Sequence, residues 1–357
     1  MRRRRLDDAG HHGRSLKSAA LAPRIALIGA GSLIGEAILA ELRLRKLAGG
    51  ALHALDDARD LGRPLEIDGE PVAVRDVAGF DFSQADIAFF CSRSAVSQTY
   101  AQAAAAHAWV IDGSSAFRGR LDVPLIAADV NPDALREVGA HGLIALPGSA
   151  SVALATVLAP LHALAGLERV EVATYHAVSG SGRKAVAGLA AEAAQLLSGR
   201  PGRSASSVRQ MAFNVVPLVD TLDADGVSAE ERRLQAETRR VLGLADLPIN
   251  ATAVRVPVFF GHGLAVHLRT ARALTAAAAA AALQCSSGVT VVDAQSGDPL
   301  PTPAMAALGP DRVYVGRLRA DTSRDRSLNF WVVADNVRKC AAHNAVSVAQ
   351  ILVNRSQ

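Results

Sequence analysis

Up to about residue 161 the chain alternates short apolar runs with longer segments of helical periodicity. The apolar runs at 25–28, 86–91 and 109–112 each end in a turn rich in glycine or serine. Amphipathic segments over 36–47 and 96–107 follow the first two runs. Buried parallel strands appear as continuous apolar runs, and strands that alternate with helices build parallel sheets. The pattern predicts an α/β fold with a doubly wound parallel sheet.

Beyond residue 161 the apolar segments become longer and alternate with polar positions. The segment 170–178 predicts a long strand, and Ser228 to Glu231 has the spacing of a capping box that opens a helix. We expect further strands at 251–258, 266–269 and 328–333, and helices at 152–161, 185–197, 228–242, 272–283 and 336–352. We therefore predict a basic tail over 1–22, a first domain over 23–149 with 337–357, and a second domain with a large mixed sheet over 150–336.

Positive charge is concentrated at the start of the chain. Residues 1–24 carry seven basic and two acidic side chains, a net +5, whereas the whole chain is at +4, so the remainder is at −1. A charged segment without apolar periodicity is typical of disorder, and the remainder offers no basic surface for nucleic acid. No run of about 18 apolar residues predicts a membrane span.

Three cysteines, Cys91, Cys285 and Cys340, lie far apart and form no metal-binding spacing. An odd number of distant cysteines fits reduced thiols better than a disulfide framework. We expect a cytoplasmic protein without a metal centre.

The run at 25–28 leads into Gly29-Ala30-Gly31-Ser32-Leu33-Ile34-Gly35 and then into a helix. In a dinucleotide-binding loop of this order, glycines let the backbone approach a pyrophosphate at the helix N-terminus. The spacing is GxGxxxG instead of GxGxxG, and a plain strand-to-helix turn is the alternative. The candidate cofactor-binding residues of this Rossmann-like first domain are Gly29, Gly31, Ser32, Leu33, Ile34 and Gly35.

Asp56 and Asp57 end a predicted second strand about 20 residues beyond the glycines. A carboxylate at this place hydrogen-bonds the ribose diol of NAD and repels the 2′-phosphate of NADP. Arg59 and Arg63 favour the phosphate instead. The sequence leaves both NAD and NADP open.

The turn Leu146-Pro147-Gly148-Ser149 joins an apolar run to the helix predicted at 152–161. A helix N-terminus carries partial positive charge and free N–H groups, which lower the pKa of a nucleophile or hold an anion. Serine is also a favoured N-cap residue, so the turn by itself favours capping over catalysis for Ser149. The motifs elsewhere in the chain change that balance.

Ordered motifs extend over residues 24–353. They include Asp112-Gly113-Ser114-Ser115-Ala116-Phe117-Arg118, Asn131-Pro132-Asp133-Ala134-Leu135, Thr174-Tyr175-His176-Ala177-Val178-Ser179-Gly180, Arg255-Val256-Pro257-Val258-Phe259-Phe260-Gly261-His262 and Ala334-Asp335-Asn336-Val337-Arg338-Lys339. In number and order they resemble the motifs of the aspartate-semialdehyde dehydrogenase family. The resemblance implies that residues 150–336 form a dimerisation and substrate domain and that the protein is a homodimer.

In that family a cysteine thiolate attacks the aldehyde of aspartate semialdehyde, hydride passes to NADP, and phosphate releases aspartyl phosphate. The resemblance places Ser149 where the family has this cysteine in an Asn-Pro-Asn-Cys turn. A serine hydroxyl is scarcely ionised near neutral pH, and an ester transfers its acyl group less readily than a thioester. The phosphorylating reaction should therefore fall by orders of magnitude.

Other family positions differ as well. His176 stands where the family has an orienting glutamine, and Arg233, beside Glu230, stands where it has a substrate-contacting lysine. Ser92 belongs to a cofactor loop that lacks two family glycines, and Ser32 replaces the middle glycine of the first loop. These differences affect substrate orientation and cofactor binding together.

Several functional positions are retained. Arg118 resembles the family's phosphate-binding arginine, Arg255 its substrate-carboxylate arginine and His262 its acid/base histidine. Arg59 and Asn336 fall at cofactor-binding positions. Each of the first three could also persist for structural reasons, through ion pairs in the core or by filling a turn.

Three interpretations follow. The first is a homodimeric paralogue, resembling Usg-type proteins, that has lost the thiol-dependent reaction and binds a small molecule. The second is an active NAD(P)-dependent oxidoreductase acting on an aldehyde or semialdehyde. The third is a hydrolase or acyltransferase with Ser149 as nucleophile and His262 or His176 as base. The joint loss of the nucleophile, the orienting glutamine and the cofactor-loop glycines favours the first, because it is easier to understand if catalysis is not preserved. Cys91 lies on the cofactor loop and cannot replace the thiol.

Overall fold

Two six-stranded sheets organise the part of the chain that the structure describes. The structure is a computed structural model that describes residues 22–59, 61, 65–67, 70–199, 210–292, 300–309 and 311–356. The predicted basic tail, apart from its last residue, and Arg63 lie outside these ranges.

The first sheet is parallel throughout, as predicted. Its strands are β1 (Ile25–Ile28), β2 (Leu52–Asp56), β5 (Arg75–Asp76), β6 (Ile87–Phe90), β7 (Trp109–Asp112) and β8 (Gly142–Ala145), and a separate hairpin consists of β3 (Leu65–Ile67) and β4 (Glu70–Val72). The spatial order is β5-β2-β1-β6-β7-β8. From β1 the chain adds strands first on one side, β2 and β5, and then on the other side, β6 to β8. The change of side next to β1 is the topological switch point, where such folds bind ligands.

Helices cover both faces of the first sheet. On one face α1 (Leu33–Leu44) and α8 (Asn344–Ser356) share a buried core with Leu27. On the other face α2 (Ser94–Ala105) packs in a core with Ile28. Burial of both faces explains why the strands appear in the sequence as continuous apolar runs.

The second sheet is mixed, as predicted. Its strands are β9 (Leu167–His176), β10 (Ile249–Arg255), β11 (His262–Thr270), β12 (Val289–Val291), β13 (Val313–Ala320) and β14 (Ser327–Ala334). They lie in the order β10-β9-β11-β14-β13-β12, with parallel pairs at both ends and antiparallel pairs between them. Both sheets have six strands, but most strands of the second sheet are longer and their directions are mixed.

Helices cover one face of the second sheet. The buried core on that face is shared by α3 (Ser149–Ala165), α5 (Ala229–Leu242) and α6 (Ala276–Gln284). On the opposite face α7 (Pro303–Leu308) packs near β14. The helix α4 (Arg183–Leu197) forms a small core of its own with Val178 and Ala212. Arg169, Glu171 and His267 belong to the strand positions that alternate with the core residues, and they are partly or fully exposed.

The carboxyl ends of four neighbouring strands meet at one edge of the first sheet. Ile28, Phe90, Asp112 and Ala145 are the last residues of these strands and lie in register across the sheet. The loops that follow them therefore leave from the same edge. This brings the glycine loop, the loop after β6 and the turn at 146–149 together.

Several predicted boundaries are wrong. The helices predicted at 36–47 and 152–161 begin earlier, at Leu33 and Ser149, because their first turns consist of small or capping residues without apolar periodicity. The helix predicted over 336–352 is instead a π-helical segment, Arg338–His343, followed by α8. Neither α7 nor β13 was expected, and β13 carries alternating arginines at its exposed end.

Candidate functional site

A cavity of about 240 Å³ gathers many of the predicted site residues. It lies where the carboxyl edge of the first sheet, represented by Phe90 and Ile111, meets His176 and His262 of the second sheet. Its wall includes eight residues that the sequence identified, namely Ile34, Arg118, Ser149, His176, Glu230, Arg255, His262 and Asn336. Residues as far apart in the chain as Ile34 and Asn336 therefore share one wall.

Other predicted residues surround the cavity without lining it. Arg233 lies behind Glu230, and Arg59 follows β2 at the surface. The glycine loop and the loop after β6 hold the rest, which are Gly29, Gly31, Ser32, Leu33, Gly35 and Ser92. These two loops follow β1 and β6 at the carboxyl edge of the first sheet, and their role in cofactor binding stays a prediction.

Ser149 is the first helical residue of α3, so the capping role that the turn by itself favours is not the role it has. The N-cap position belongs to Gly148, and no side chain caps the helix there. The Ser149 hydroxyl makes no hydrogen bond within the described chain, although the residue is half-buried and lines the cavity. Its side chain is therefore available to a ligand instead of being used for the fold.

Glu237 holds the turn in front of α3, and sequence reasoning missed it. This carboxylate is 3% exposed and accepts hydrogen bonds from the Gly148 N–H and the Ser151 hydroxyl, both at 2.7 Å. It lies seven residues after Glu230 on α5, so both side chains project from the same face of the helix. That spacing is the signal that could have identified it.

Arg118 forms an ion pair with the same carboxylate. Its Nη1 lies 3.4 Å from Glu237 Oε1, and its Nη2 donates to the Gly113 carbonyl at 2.7 Å. Within the described chain the buried Nε of Arg118 has no hydrogen-bond acceptor. Protein contacts thus hold Nη1 and Nη2, while the buried Nε–H has no acceptor, which fits a site for an anionic ligand.

His262 is buried beneath the cavity and is neutral. Its Nδ1 accepts the backbone N–H of Ala177 at 3.1 Å, so in the neutral ring the proton is on Nε2. Burial first, and then the neighbouring His176 and Arg255, lower the pKa of His262 well below its usual value. At neutral pH this ring can donate a hydrogen bond from Nε2 but cannot accept a proton there.

His176 packs against His262 with ring centroids 4.5 Å apart. Its Nε2 lies 2.9 Å from the Thr174 hydroxyl oxygen. Burial is the largest cause that lowers the pKa of His176 to about 4; Glu230 opposes this shift, and Arg255 adds to it. Two neutral imidazoles therefore form one side of the cavity.

Arg255 brings a second guanidinium into the wall. Its Nη1 donates to the Ala177 carbonyl at 3.1 Å, the one hydrogen bond that its side chain makes within the described chain. Burial lowers the pKa of Arg255, but a guanidinium remains charged under any physiological condition. No carboxylate of the described residues pairs with it directly, so the prediction of a structural ion pair holds for Arg118 and not for Arg255.

Glu230 and Arg233 form an acidic and basic pair at the edge of the cavity. Arg233 Nη2 lies 2.9 Å from Glu230 Oε2 and 2.6 Å from Asp220 Oδ2. The arginine thus fixes Glu230 from behind, and Glu230 supplies negative charge to the wall. The predicted capping box at Ser228 and Glu231, which starts this helix, is confirmed.

Asn336 joins two loops of the second sheet beneath the cavity. Its Oδ1 accepts from the Ser179 hydroxyl at 3.1 Å and from the Gly261 N–H at 3.0 Å. Asn336 is 4% exposed, so these bonds fix the side chain in one orientation. Its amide is held at the boundary between the two sheets.

The glycine loop packs too closely against its neighbours to carry side chains at Gly29 and Gly35. Gly29 has φ of +86°, and a Cβ there would lie 2.8 Å from the Cys91 backbone. A Cβ on Gly35 would lie 2.3 Å from the Gly29 carbonyl oxygen. Ser32 is the N-cap of α1, and its hydroxyl accepts the Gly35 N–H at 2.9 Å and donates to the Cys91 carbonyl at 3.2 Å. The loop is closed by backbone contacts and fits a dinucleotide at the start of α1.

Cys91 is the thiol in the wall of the cavity, but it is inert. Its Sγ donates to the Ile28 carbonyl at 3.0 Å, and burial raises the pKa of the thiol to about 12. A thiol protonated throughout the physiological range is not a nucleophile.

Family models match both parts of the chain. The semialdehyde dehydrogenase NAD binding domain matches residues 24–138, and the semialdehyde dehydrogenase dimerisation domain matches residues 158–339. An aspartate-semialdehyde dehydrogenase of Legionella pneumophila is 40% identical over 329 residues, which are 92% of this chain and 95% of the relative. The chain belongs to the aspartate-semialdehyde dehydrogenase family. A USG-1 protein homolog of Azotobacter vinelandii is 36% identical over 93% of this chain and 98% of its own.

Solved structures of the family share the fold. Aspartate semialdehyde dehydrogenase II from Vibrio cholerae superposes with a TM-score of 0.89 at 37% identity, covering 93% of this chain and 98% of that chain. The cavity thus belongs to an aspartate-semialdehyde dehydrogenase fold. The described residues contain no helix that is long and apolar enough to cross a membrane, and no group of three or more metal-binding side chains.

Proposed function

We propose that this protein is a homodimeric member of the family in which Ser149 takes the place of the nucleophilic cysteine, and that it lacks the thiol-dependent phosphorylating dehydrogenation. The observation that carries the proposal is the position of Ser149 as first residue of α3, in the cavity wall with Arg118 and Arg255. The one thiol in that wall, Cys91, is protonated and hydrogen-bonded to the backbone. The cavity therefore holds no thiolate.

The surroundings of Ser149 do not ionise its hydroxyl. A helix N-terminus stabilises a nearby anion through its N–H groups and partial positive charge. Here the carboxylate of Glu237 already accepts the Gly148 N–H, immediately before Ser149. Its negative charge offsets the potential of the helix terminus, so an alkoxide on Ser149 is disfavoured.

The histidines do not supply a base for Ser149. A serine nucleophile needs an imidazole whose unprotonated nitrogen accepts the hydroxyl proton. The neutral His262 carries its proton on Nε2, because Nδ1 accepts from the backbone, and His176 Nε2 is engaged with Thr174. This arrangement disfavours a hydrolase or acyltransferase as well.

The ligand that fits the cavity is a small carboxylate or phosphate compound. Arg118 and Arg255 supply positive charge, the neutral His262 supplies a donor, and Glu230 supplies an acceptor for an ammonium group. The glycine loop with Ser32 and the first turn of α1 would hold the pyrophosphate of a nicotinamide dinucleotide, with Asn336 at the other end. Such a cofactor, when bound, supplies the hydride acceptor for aldehyde oxidation.

The test is a rate measurement with aspartate semialdehyde, phosphate, and either NAD or NADP. We expect the wild-type chain to give no phosphate-dependent reduction of the nucleotide above that of the Ser149→Ala variant. Wild-type turnover that Ser149→Ala abolishes, and that the surface control Ser83→Ala keeps, would overturn the proposal.

An active oxidoreductase using Ser149 is the second candidate, because the two arginines and His262 are still gathered around it. The same assay separates the two candidates. The Ser149→Cys variant adds information on the rest of the site: if it gains phosphate-dependent turnover, the orienting groups are competent and the missing thiol is the limiting element.

A further inference from the structure

Two loops flank the glycine loop at the carboxyl edge of the first sheet. Strands β2 and β6 both pair with β1, so the loops after them lie on opposite sides of the loop after β1. Asp57 directly follows β2, and Arg93 lies in the loop after β6. Their side chains form an ion pair between Arg93 Nη2 and Asp57 Oδ2. This pair joins the two loops beside the glycine loop.

Asp57 is the more exposed of the two carboxylates at the end of β2. Asp56, the last residue of β2, is 4% exposed, whereas the Asp57 side chain is 20% exposed. The Oδ1 of Asp57 accepts the backbone N–H of Arg59 at 3.1 Å, which fixes the carboxylate at the end of the strand. Arg59 thus contacts Asp57 through its backbone, while its side chain is at the surface.

We propose that Asp57 selects the dinucleotide: its carboxylate accepts the ribose hydroxyls of NAD and rejects the 2′-phosphate of NADP, with Arg93 as a counter-ion that binding displaces. An acidic residue at the end of the second strand, about 20 residues beyond the glycine loop, is placed for the adenosine ribose. This inference rests on one part of the proposed function, namely that the protein still binds a nicotinamide dinucleotide.

The charge of the Asp57 and Arg93 pair supports NAD. The two side chains together are neutral, so they offer no net positive charge to a phosphate. A 2′-phosphate would place about two negative charges beside the Asp57 carboxylate, and the repulsion between these like charges would weaken NADP binding. A neutral hydroxyl at the same place donates to the carboxylate instead.

The ion pair itself is easily broken. The Arg93 side chain is 46% exposed, and exposed pairs contribute little because water and salt screen them. Removing Arg93 should free the carboxylate and tighten NAD by about two- to fivefold without admitting NADP. Arg93 therefore affects affinity, whereas Asp57 determines selectivity.

The experiment is calorimetric titration of the full chain with NAD and with NADP at one ionic strength. We expect the wild type to bind NAD at least about tenfold more tightly than NADP. Asp57→Ser and the isosteric Asp57→Asn should bring the two affinities within about threefold of each other. The matched control Asp225→Ser, which removes an exposed carboxylate paired with Arg232, should keep the wild-type ratio.

The opposite results are equally specific. A wild type that prefers NADP, and loses that preference in Arg59→Ala or Arg93→Gly, would overturn the inference and assign the phosphate to an arginine. An unchanged ratio in both Asp57 variants, or binding of neither nucleotide, would also overturn it. None of these outcomes changes the turnover result for Ser149, so failure of the inference is distinct from failure of the proposed function.

Discussion

Glu237 is the buried carboxylate on which the geometry in front of α3 depends. Removing one partner of a buried charged pair leaves the remaining groups unsatisfied. We expect Glu237→Ala to lower the free energy of unfolding by about 3–5 kcal/mol, because the Gly148 N–H, the Ser151 hydroxyl and Arg118 lose an acceptor. Urea unfolding measures this, and the exposed Glu137→Ala serves as the matched control.

The control should change the stability by less than about 0.5 kcal/mol. Glu237→Gln keeps the shape but replaces one acceptor oxygen by a donor, and we expect an intermediate loss. Equal stabilities of Glu237→Ala and Glu137→Ala would contradict the structural role.

His176 makes stability depend on pH in a defined window. Its folded-state pKa of about 4 lies below the unfolded value near 6.5, so the unfolded chain binds the proton more readily. The contribution of the neutral ring is fully present above pH 6.5 and is lost as pH falls towards 4, by about 3 kcal/mol in total. Denaturant unfolding at a series of pH values should show a shallower loss for His176→Gln than for the wild type over this window.

The exposed His107→Gln controls for the loss of a histidine as such. Its pH dependence should match that of the wild type. A wild-type slope in His176→Gln would show that the ring is solvated in solution.

At the residue scale, motif matching identified the polar wall of the cavity but not its support. Arg118, His262 and Arg255 were found because their motifs stand out in the sequence. Glu237 was missed because a carboxylate in a charged helix such as α5 looks like any solvated residue. Its seven-residue spacing from Glu230 places it on the same face of α5, but only the tertiary structure shows that this face meets the turn before α3. Whether each side chain binds a ligand stays a prediction.

The junction of β1 and α1 depends on glycine for a steric reason. A Cβ at Gly29 would lie 2.8 Å from the Cys91 backbone at a φ of +86°. Gly188 serves as the control position, since it is exposed on α4 and a Cβ there would lie more than 4 Å from any neighbouring atom.

We expect opposite effects of the same substitution at these two positions. Gly188→Ala should raise the free energy of unfolding by about 0.5–1 kcal/mol through helix propensity. Gly29→Ala should lower it by at least about 1–3 kcal/mol through backbone strain and contact with the next loop. Thermal unfolding of both variants measures the difference, and a tolerated Gly29→Ala would show that the loop rearranges freely.

At the element scale, the order and type of most helices and strands could be predicted. The spacing of apolar residues and the glycine- and serine-rich turns between the apolar runs indicated the same elements. Boundaries could not, because the first turn of a helix such as α3 consists of small residues that carry no period. The strand β13 was missed since Arg317 and Arg319 interrupt its apolar pattern, and its pairing with β12 and β14 appears only in the folded sheet.

The second sheet has one face that the described helices cover only at the β14 end. The side chains of Ala173 and Ala265 lie opposite each other on adjacent strands of this face. We predict that two copies of the chain pack through it, in line with the match to a dimerisation domain. Ala265→Arg should place charges at such an interface and weaken it.

Light scattering at graded concentrations gives the mass. We expect the wild type to be dimeric, Ala265→Arg to be shifted towards monomer, and the control Gln98→Arg, on an exposed face of α2, to stay dimeric. A monomeric wild type would refute the dimer, and a dimeric Ala265→Arg would place the interface elsewhere.

At the scale of the molecule, the sequence predicted both sheets and their directions because the strand patterns of buried parallel and half-exposed mixed sheets differ. The division into 23–149 with 337–357 and 150–336 stays a prediction. The cavity between the sheets could not be derived from either pattern, because it depends on how α3, α5 and the loop around Asn336 meet.

The position of α8 bears on how the protein forms as it is synthesised. This helix packs against α1 and contributes Val346, Ala349 and Leu352 to the core under the first sheet. It follows the whole second sheet in the chain, so a ribosome adding about 5–20 residues per second makes it many seconds after β1. Strand β1 and the glycine loop are therefore synthesised long before the helix that completes their core. The first sheet begins to form first, but its core is completed last.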